Sequence, residues 1–271
     1  MKKPIRKKPI RKKASQENSQ KIRPESIEPG SPQRLNRILS LAGVVSRRKA
    51  DELIREGRIE LNGETVSQQG TRAVWGMDSI KVDGNEVPGP SERIYLALNK
   101  PIGYVCTARD PESRPIVYDL LKGVKQRVYS IGRLDFDTIG LLLFTNDGDL
   151  AHRLTHPEYR VPKTYKVTVK GSISDQAIAS LRKGVLLDDG FSGTARVALI
   201  NRSGSRSIIR ISLTRGRNRI VRRMMEAVEY PVIQLTRTGF ASVELGTLKV
   251  GKYRFFKPEE VVRLKKMAGL G

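Results

Sequence analysis

The chain has 271 residues, 38% of them hydrophobic, enough for one large cored domain or two smaller ones. Its formal net charge is +23; the first 33 residues hold ten Lys/Arg against three Glu, so +7 lies there and +16 stays with the rest. Basicity on that scale points away from ordinary protein partners and towards a polyanion, RNA or DNA first. The single Cys106 and two histidines exclude an internal disulfide and a Cys/His zinc site.

Residues 2–13 repeat a pentad, Lys2-Lys3-Pro4-Ile5-Arg6 then Lys7-Lys8-Pro9-Ile10-Arg11. Two prolines and like-charge repulsion forbid a helix, so residues 1–33 read as a disordered basic arm that adds phosphate contacts. No apolar stretch approaches the roughly 18 residues of a spanning helix, so no membrane partner is expected. With one cysteine and no apolar leader core after Met1-Lys2-Lys3, the expected compartment is the cytoplasm.

Order is expected from Arg34. Leu35, Ile38, Leu39 and Ala42 follow the i, i+3, i+4, i+7 spacing of an amphipathic helix that Gly43 stops. Ser46 is the expected N-cap of a second helix, with Ala50, Leu53 and Ile54 as its apolar stripe and Gly57 past its end. Ile59 and Leu61 alternate into an Asn62-Gly63 hairpin turn, and Ile80 and Val82 into Asp83-Gly84. This module, 34–88, resembles the S4 RNA-binding domain in Ser46-Arg47-Arg48-Lys49-Ala50 and in Gly57-Arg58-Ile59-Glu60-Leu61-Asn62-Gly63. Arg34, Arg37, Arg47, Arg48, Lys49 and Arg58 form its expected RNA-binding face. A solvated helix surface is the bland reading of the same charges.

Val87-Pro88-Gly89-Pro90-Ser91 reads as a linker, since two prolines and a glycine continue neither helix nor sheet. A second domain is expected over 92–271. Strands read at 94–98, 104–107, 141–145, 165–169 and 208–214, and helices at 149–154, 174–183 and 219–228. His152 and His156, four apart on the first of these helices, read as solvated or capping. Strands outnumber helices and connections are short, which predicts an α+β fold around a mixed, largely antiparallel sheet.

Within this domain, Gly132-Arg133-Leu134-Asp135 places a carboxylate beside an arginine in a glycine-bounded loop. An apolar run from Ile139 to Phe144 follows, broken only by Gly140. The 132–148 run resembles the signature of the pseudouridine synthases of the RsuA type, and three further segments match that family in order: Asn99-Lys100-Pro101-Ile102-Gly103, Lys163-Thr164-Tyr165-Lys166-Val167 and 216–224. The resemblance covers roughly residues 34–256.

What the resemblance implies is isomerisation of uridine to pseudouridine in RNA, with no cofactor and no metal. It makes Asp135 the catalytic group, Arg222 the partner that orients and ionises its carboxylate, and Tyr165 a ring stacked on the extruded base; Arg133 and Arg219 join the RNA-binding set. Asp137 is expected to be structural. By itself Tyr165 is an ordinary packing residue, and Arg219, Arg222, Arg223 and Glu226 are a solvated helix face. An arginine cluster at a helix start opposes the helix dipole, however, unless an acid or phosphate faces it. Residues 104–115 look most like the large-subunit, RluB-type branch, so the expected substrate is ribosomal RNA of the large subunit and the expected state a monomer. The rival readings are a small-subunit enzyme and a non-catalytic S4-type ribosome-assembly protein. A third is a magnesium-dependent phosphotransferase built on Asp135-Phe136-Asp137-Thr138 with Asp188 and Asp189, for which 130–134 makes a poor buried strand.

Overall fold

The computed structural model describes residues 31–89 and 92–270; residues 1–30 of the expected basic arm and Pro90-Ser91 of the linker lie outside the described residues. The N-terminal module comprises β1 (Gln33–Arg34), α1 (Leu35–Leu41), α2 (Arg47–Arg55), β2 (Ile59–Leu61), β3 (Glu64–Val66), β4 (Arg72–Ala73), β5 (Ile80–Val82) and β6 (Asn85–Glu86). Gln33 therefore belongs to a strand rather than to the arm, because it pairs with Ala73. The Ser46 hydroxyl accepts the Lys49 amide at 3.2 Å and caps α2. Asn62 (φ 53°) and Gly63 (φ 88°) are both left-handed, as a two-residue turn needs if it is to match the strand twist of the β2–β3 hairpin. Leu35, Ile38, Leu39, Ala50, Leu53, Ile54, Ile59, Ala73 and Ile80 close a small core between the helix pair and the four-stranded sheet β3-β2-β5-β6.

The larger domain runs β7 (Tyr95–Lys100), β8 (Tyr129–Ile131), β9 (Ile139–Thr145), α3 (Gly148–Thr155), β10 (Lys163–Lys170), α4 (Asp175–Lys183), the β11 (Leu186–Leu187) and β12 (Gly190–Phe191) hairpin, β13 (Arg196–Arg202), β14 (Arg206–Leu213), α5 (Ile220–Glu226), β15 (Val232–Phe240), β16 (Val243–Glu244), β17 (Tyr253–Phe255) and α6 (Pro258–Met267). Nine of these strands form one sheet in the order β13-β14-β10-β15-β9-β7-β17, with β16 on β15 and β8 on β9. Only the β9–β15 pair is parallel. The α+β, mixed and mostly antiparallel expectation holds.

β7 and β9 are apolar runs because both of their faces are covered. Leu96, Leu98, Leu142 and Phe144 pack with Val117, Leu121 and Leu134 on one side. Tyr95, Ala97, Leu141 and Leu143 meet α3 and α6 on the other. A separate core joins β10 and β14 to α4 and α5. The parallel pair needs Gly140: at φ 115° its backbone lies so close to β15 that a Cβ would stand 2.3 Å from the Arg237 carbonyl oxygen. Arg37 of α1 forms an ion pair with Asp149 of α3, joining the two regions.

Three expectations need correction. Residues 104–107 are not a strand: Pro101 cannot extend the ladder, Gly103 (φ 84°) turns the chain, and Val105 makes only an isolated bridge to Ile116. The helix expected over 219–228 is Ile220–Glu226, since Arg219 is left-handed at φ 45° and stands before it as the cap. β8, β11, β12, β13, β15, β16, β17 and α6 were absent from the expected elements altogether.

Candidate active site

The loop between β8 and β9 carries Gly132 to Thr138, and the Thr138 amide donates back to the Asp135 carbonyl at 3.1 Å. Beneath this loop lies Lys100, the last residue of β7 and fully buried. Its ammonium donates to the carbonyls of Pro101, Asp135 and Thr138, each at 3.0 Å, which uses its three N–H bonds to fix the loop backbone. Burial lowers its pKa from the ordinary lysine value, against the attraction of Asp135 and Asp137. Arg237, 2% exposed on β15, reaches the same loop from behind: Nε donates to the Leu141 carbonyl at 2.7 Å and Nη1 to the Arg133 carbonyl at 3.3 Å.

Held in this way, the loop sends its two aspartates in different directions. Asp137 faces α5. Arg219 grips its carboxylate with Nη1 and Nη2 at 3.1 and 3.2 Å, and Arg222 Nη2 approaches the carboxylate at 3.1 Å and donates to the Asp137 carbonyl at 3.0 Å. Burial alone would raise the Asp137 pKa, but the Arg219 hydrogen bonds and the Arg222 charge outweigh it and the net shift is downward. Arg222 thus pairs with Asp137, not with Asp135 as expected from sequence, because the turn at 135–138 places Asp137 against the helix. Arg217 and Arg223 are met similarly by Asp189, at 3.3 and 2.7 Å. The arginines at the start of α5 are explained by these two acids.

Asp135 faces the other way, into a cavity of about 220 Å³. No described side chain bonds to its carboxylate. Lys163, Tyr165, Arg237 and Phe240 also line this cavity, with Arg133, Arg217 and Arg219 towards its rim. Register explains how these four side chains share one face of the sheet. Lys163 pairs with Phe240 and Tyr165 with Arg237; a bulge leaves Thr238 unpaired between them, so residues three apart on β15 match residues two apart on β10. The Phe240 ring lies 5.2 Å from both the Lys163 ammonium and the Arg237 guanidinium. Arg222 does not line the cavity. Lys163, Arg237 and Lys100 were not among the expected site residues. The only signals for them were Lys163 and Lys100 inside matched segments and a lone arginine in a β-rich stretch.

On the N-terminal module, Arg34, Arg47 and Arg48 are exposed and have no carboxylate partner among the described residues. The other three expected contacts are engaged: Arg37 by Asp149, Lys49 by Glu52 at 2.9 Å, and Arg58 by Asp83 through two 2.7 Å bonds. Among the described residues no helix is long and apolar enough to cross a membrane.

Comparison with known proteins agrees with this layout. Residues 94–227 match the family described as RNA pseudouridylate synthase and residues 33–78 the S4 domain. The ribosomal large subunit pseudouridine synthase B of Bacillus subtilis is 42% identical over 241 residues, 88% of this chain and 98% of that one. An uncharacterized RNA pseudouridine synthase of Mycobacterium tuberculosis is also 42% identical over 241 residues, 88% of this chain and 94% of its own. A crystal structure titled as a pseudouridylate synthase superposes with a TM-score of 0.62 at 29% identity, over 85% of this chain and 99% of that one.

Proposed function

The chain belongs to the RNA pseudouridine synthases, and from that premise we propose that it isomerises a uridine of large-subunit ribosomal RNA, with Asp135 as the reactive carboxylate. The reaction breaks the N1–C1′ bond, turns the base and rejoins it through C5; C5 loses a proton and N1 gains one. Addition to C6, attack at C1′ and proton abstraction from the ribose each require one ionised carboxylate at the base–sugar junction. The observation that carries the assignment is the contrast between the two loop aspartates. Asp137 is saturated by Arg219 and Arg222, whereas the Asp135 carboxylate stands unpaired in a cavity with Tyr165 opposite. Arg222 supports the reaction by anchoring Asp137, and with it the loop.

The substrate class rests on the large-subunit enzymes among the relatives and on the S4 domain. In this reading Arg34, Arg47 and Arg48 hold the RNA stem, Arg133 the opened strand, and the base enters the cavity at the cost of unstacking, a few kcal/mol. In this reading the protein acts in the cytoplasm as a monomer. The test is to incubate the purified protein with unmodified transcripts of both ribosomal subunits and with tRNA, then read carbodiimide-dependent reverse-transcription stops. Stops confined to the large-subunit transcript are expected. Stops only in the small-subunit transcript or in tRNA would refute the substrate assignment.

A further inference from the structure

The floor of the cavity holds more positive charge than the protein neutralises. Arg217 and Arg219 at the rim are matched by Asp189 and Asp137. Lys163 and Arg237 on the floor are matched by no carboxylate. The Lys163 ammonium has one hydrogen-bond acceptor, the Val161 carbonyl at 3.1 Å, which leaves two N–H bonds over. The Arg237 Nη2 is buried without a partner. Lys163 is faced by Arg237 from β15, by Tyr165 on its own strand and by the 216–219 segment, whose Gly216 would bring a Cβ within 4.0 Å of the ammonium and which carries Arg217 and Arg219; Asp135 and Arg133 of the 132–138 loop line the same cavity. Unused donors in the same cavity as the carboxylate proposed to act on the substrate call for an acceptor supplied by the substrate.

We propose that Lys163 donates to a carbonyl oxygen of the uracil base and stabilises the negative charge that gathers there as the N1–C1′ bond breaks, with the free N–H of Arg237 beside it. This rests on the assignment of Asp135 as the reactive group. By whichever of the three routes the bond is broken, electrons pass into the ring and onto its carbonyl oxygens. A preorganised cation at that point lowers the barrier more than it tightens binding. The nucleotide's phosphate is the less fitting ligand: it stays at the exposed rim by Arg133, whereas Lys163 lies half-buried on the sheet against the Phe240 ring. The same setting makes the lysine titratable near neutrality, since burial first and the Arg237 charge second bring its pKa down to about 8. The folded pKa is lowered, so the cation is present below pH 8 and lost above it.

The experiment measures single-turnover rate constants and dissociation constants for the full-length protein between pH 6 and 10, on an unmodified transcript that the wild type converts. Wild type, Lys163→Arg and Lys163→Met are compared. In the wild type the rate constant divided by the dissociation constant should fall about tenfold per pH unit above roughly pH 8. Lys163→Arg should keep the neutral-pH rate within about tenfold and lose that alkaline limb, because its guanidinium stays charged. Lys163→Met should lose about 100-fold or more in rate with affinity nearly unchanged. An alkaline limb that persists in Lys163→Arg would assign it to the RNA or to another group and overturn the proposal. So would a Lys163→Met protein that keeps its rate, or one that loses affinity instead, as a phosphate contact would. If Lys163→Met fails to fold, the Lys163→Arg profile decides alone. A wild type inert on every RNA would overturn the proposed function and this role with it, whereas an active wild type with an unaltered Lys163→Arg limb overturns this role alone.

Discussion

The N-terminal module and the catalytic domain use the same residue types in opposite ways. In the module, Arg34, Arg47, Arg48 and Arg58 are exposed, and no lysine or arginine belongs to the core. In the catalytic domain, Lys100, Arg222 and Arg237 are buried and each donates to backbone carbonyls of the 133–141 segment. A cation in water is a long-range attractor whose position matters little. A buried cation with directed donors fixes a backbone and is costly to disturb. The first arrangement suits gripping RNA of many sequences, and the second suits holding one carboxylate in place.

The sharpest test of this division is Asp135→Asn. It should abolish isomerisation while RNA affinity, set by the basic surface, stays within about twofold; turnover assays and filter binding on one transcript measure both. Measurable turnover by the pure variant would move the chemistry elsewhere.

Next in size is a glycine pair. Gly140→Ala forces a Cβ against the Arg237 backbone at a positive φ and should destabilise the domain by about 3 kcal/mol or more. Gly63→Ala in the module meets nothing within 4 Å and should cost only about 1 kcal/mol, from its φ. Urea denaturation of both variants checks the contrast. Equal losses would mean that the β9–β15 contact is not the tight point.

A double-mutant cycle probes the loop anchor. Arg222→Ala and Asp137→Asn should each slow the chemical step about tenfold to a hundredfold, and the double variant should be little worse than either, because both remove one link. Fully additive losses would return Arg222 to an independent role, such as the Asp135 partner expected from sequence. The anchor should also be insensitive to pH over the neutral range: with the Asp137 pKa lowered, its contribution is complete above the ordinary carboxylate value and is lost only as pH falls through the lower folded value. A loss of rate near pH 6 that disappears in Asp137→Asn would contradict this.

The smallest effects belong to the module. Arg47→Ala and Arg48→Ala should weaken RNA binding and each lower the log–log salt slope by roughly 0.7 to 0.9, with the single-turnover rate at saturating protein unchanged. Arg58→Ala should change the slope less, because Asp83 already neutralises that cation.

Where local pattern and tertiary role coincided, the chain was legible. Ser46 caps α2, the Asn62-Gly63 turn forms, and β7 and β9 are buried as their apolar runs imply. β15 was missed because its inward face carries Arg237, which lines the cavity, and because the bulge at Thr238 breaks its period of two. β17 and α6 were missed at the chain's C-terminal end; β17 forms the sheet edge next to β7.

The order of motifs, together with charge, was sufficient to identify the family and the two-part organisation and to single out Asp135 as the candidate for the chemistry, because these depend on residue type and spacing along the chain. Which acid Arg222 meets, that Lys100 and Arg237 hold the 132–138 loop, and that Lys163 lines the cavity beside Arg237 were decided only by tertiary structure. Those relations join residues up to 104 positions apart, across β7, β10 and β15. They hang on a bulge, a turn and a close backbone approach at Gly140, whose effect on side-chain direction is not written in local sequence.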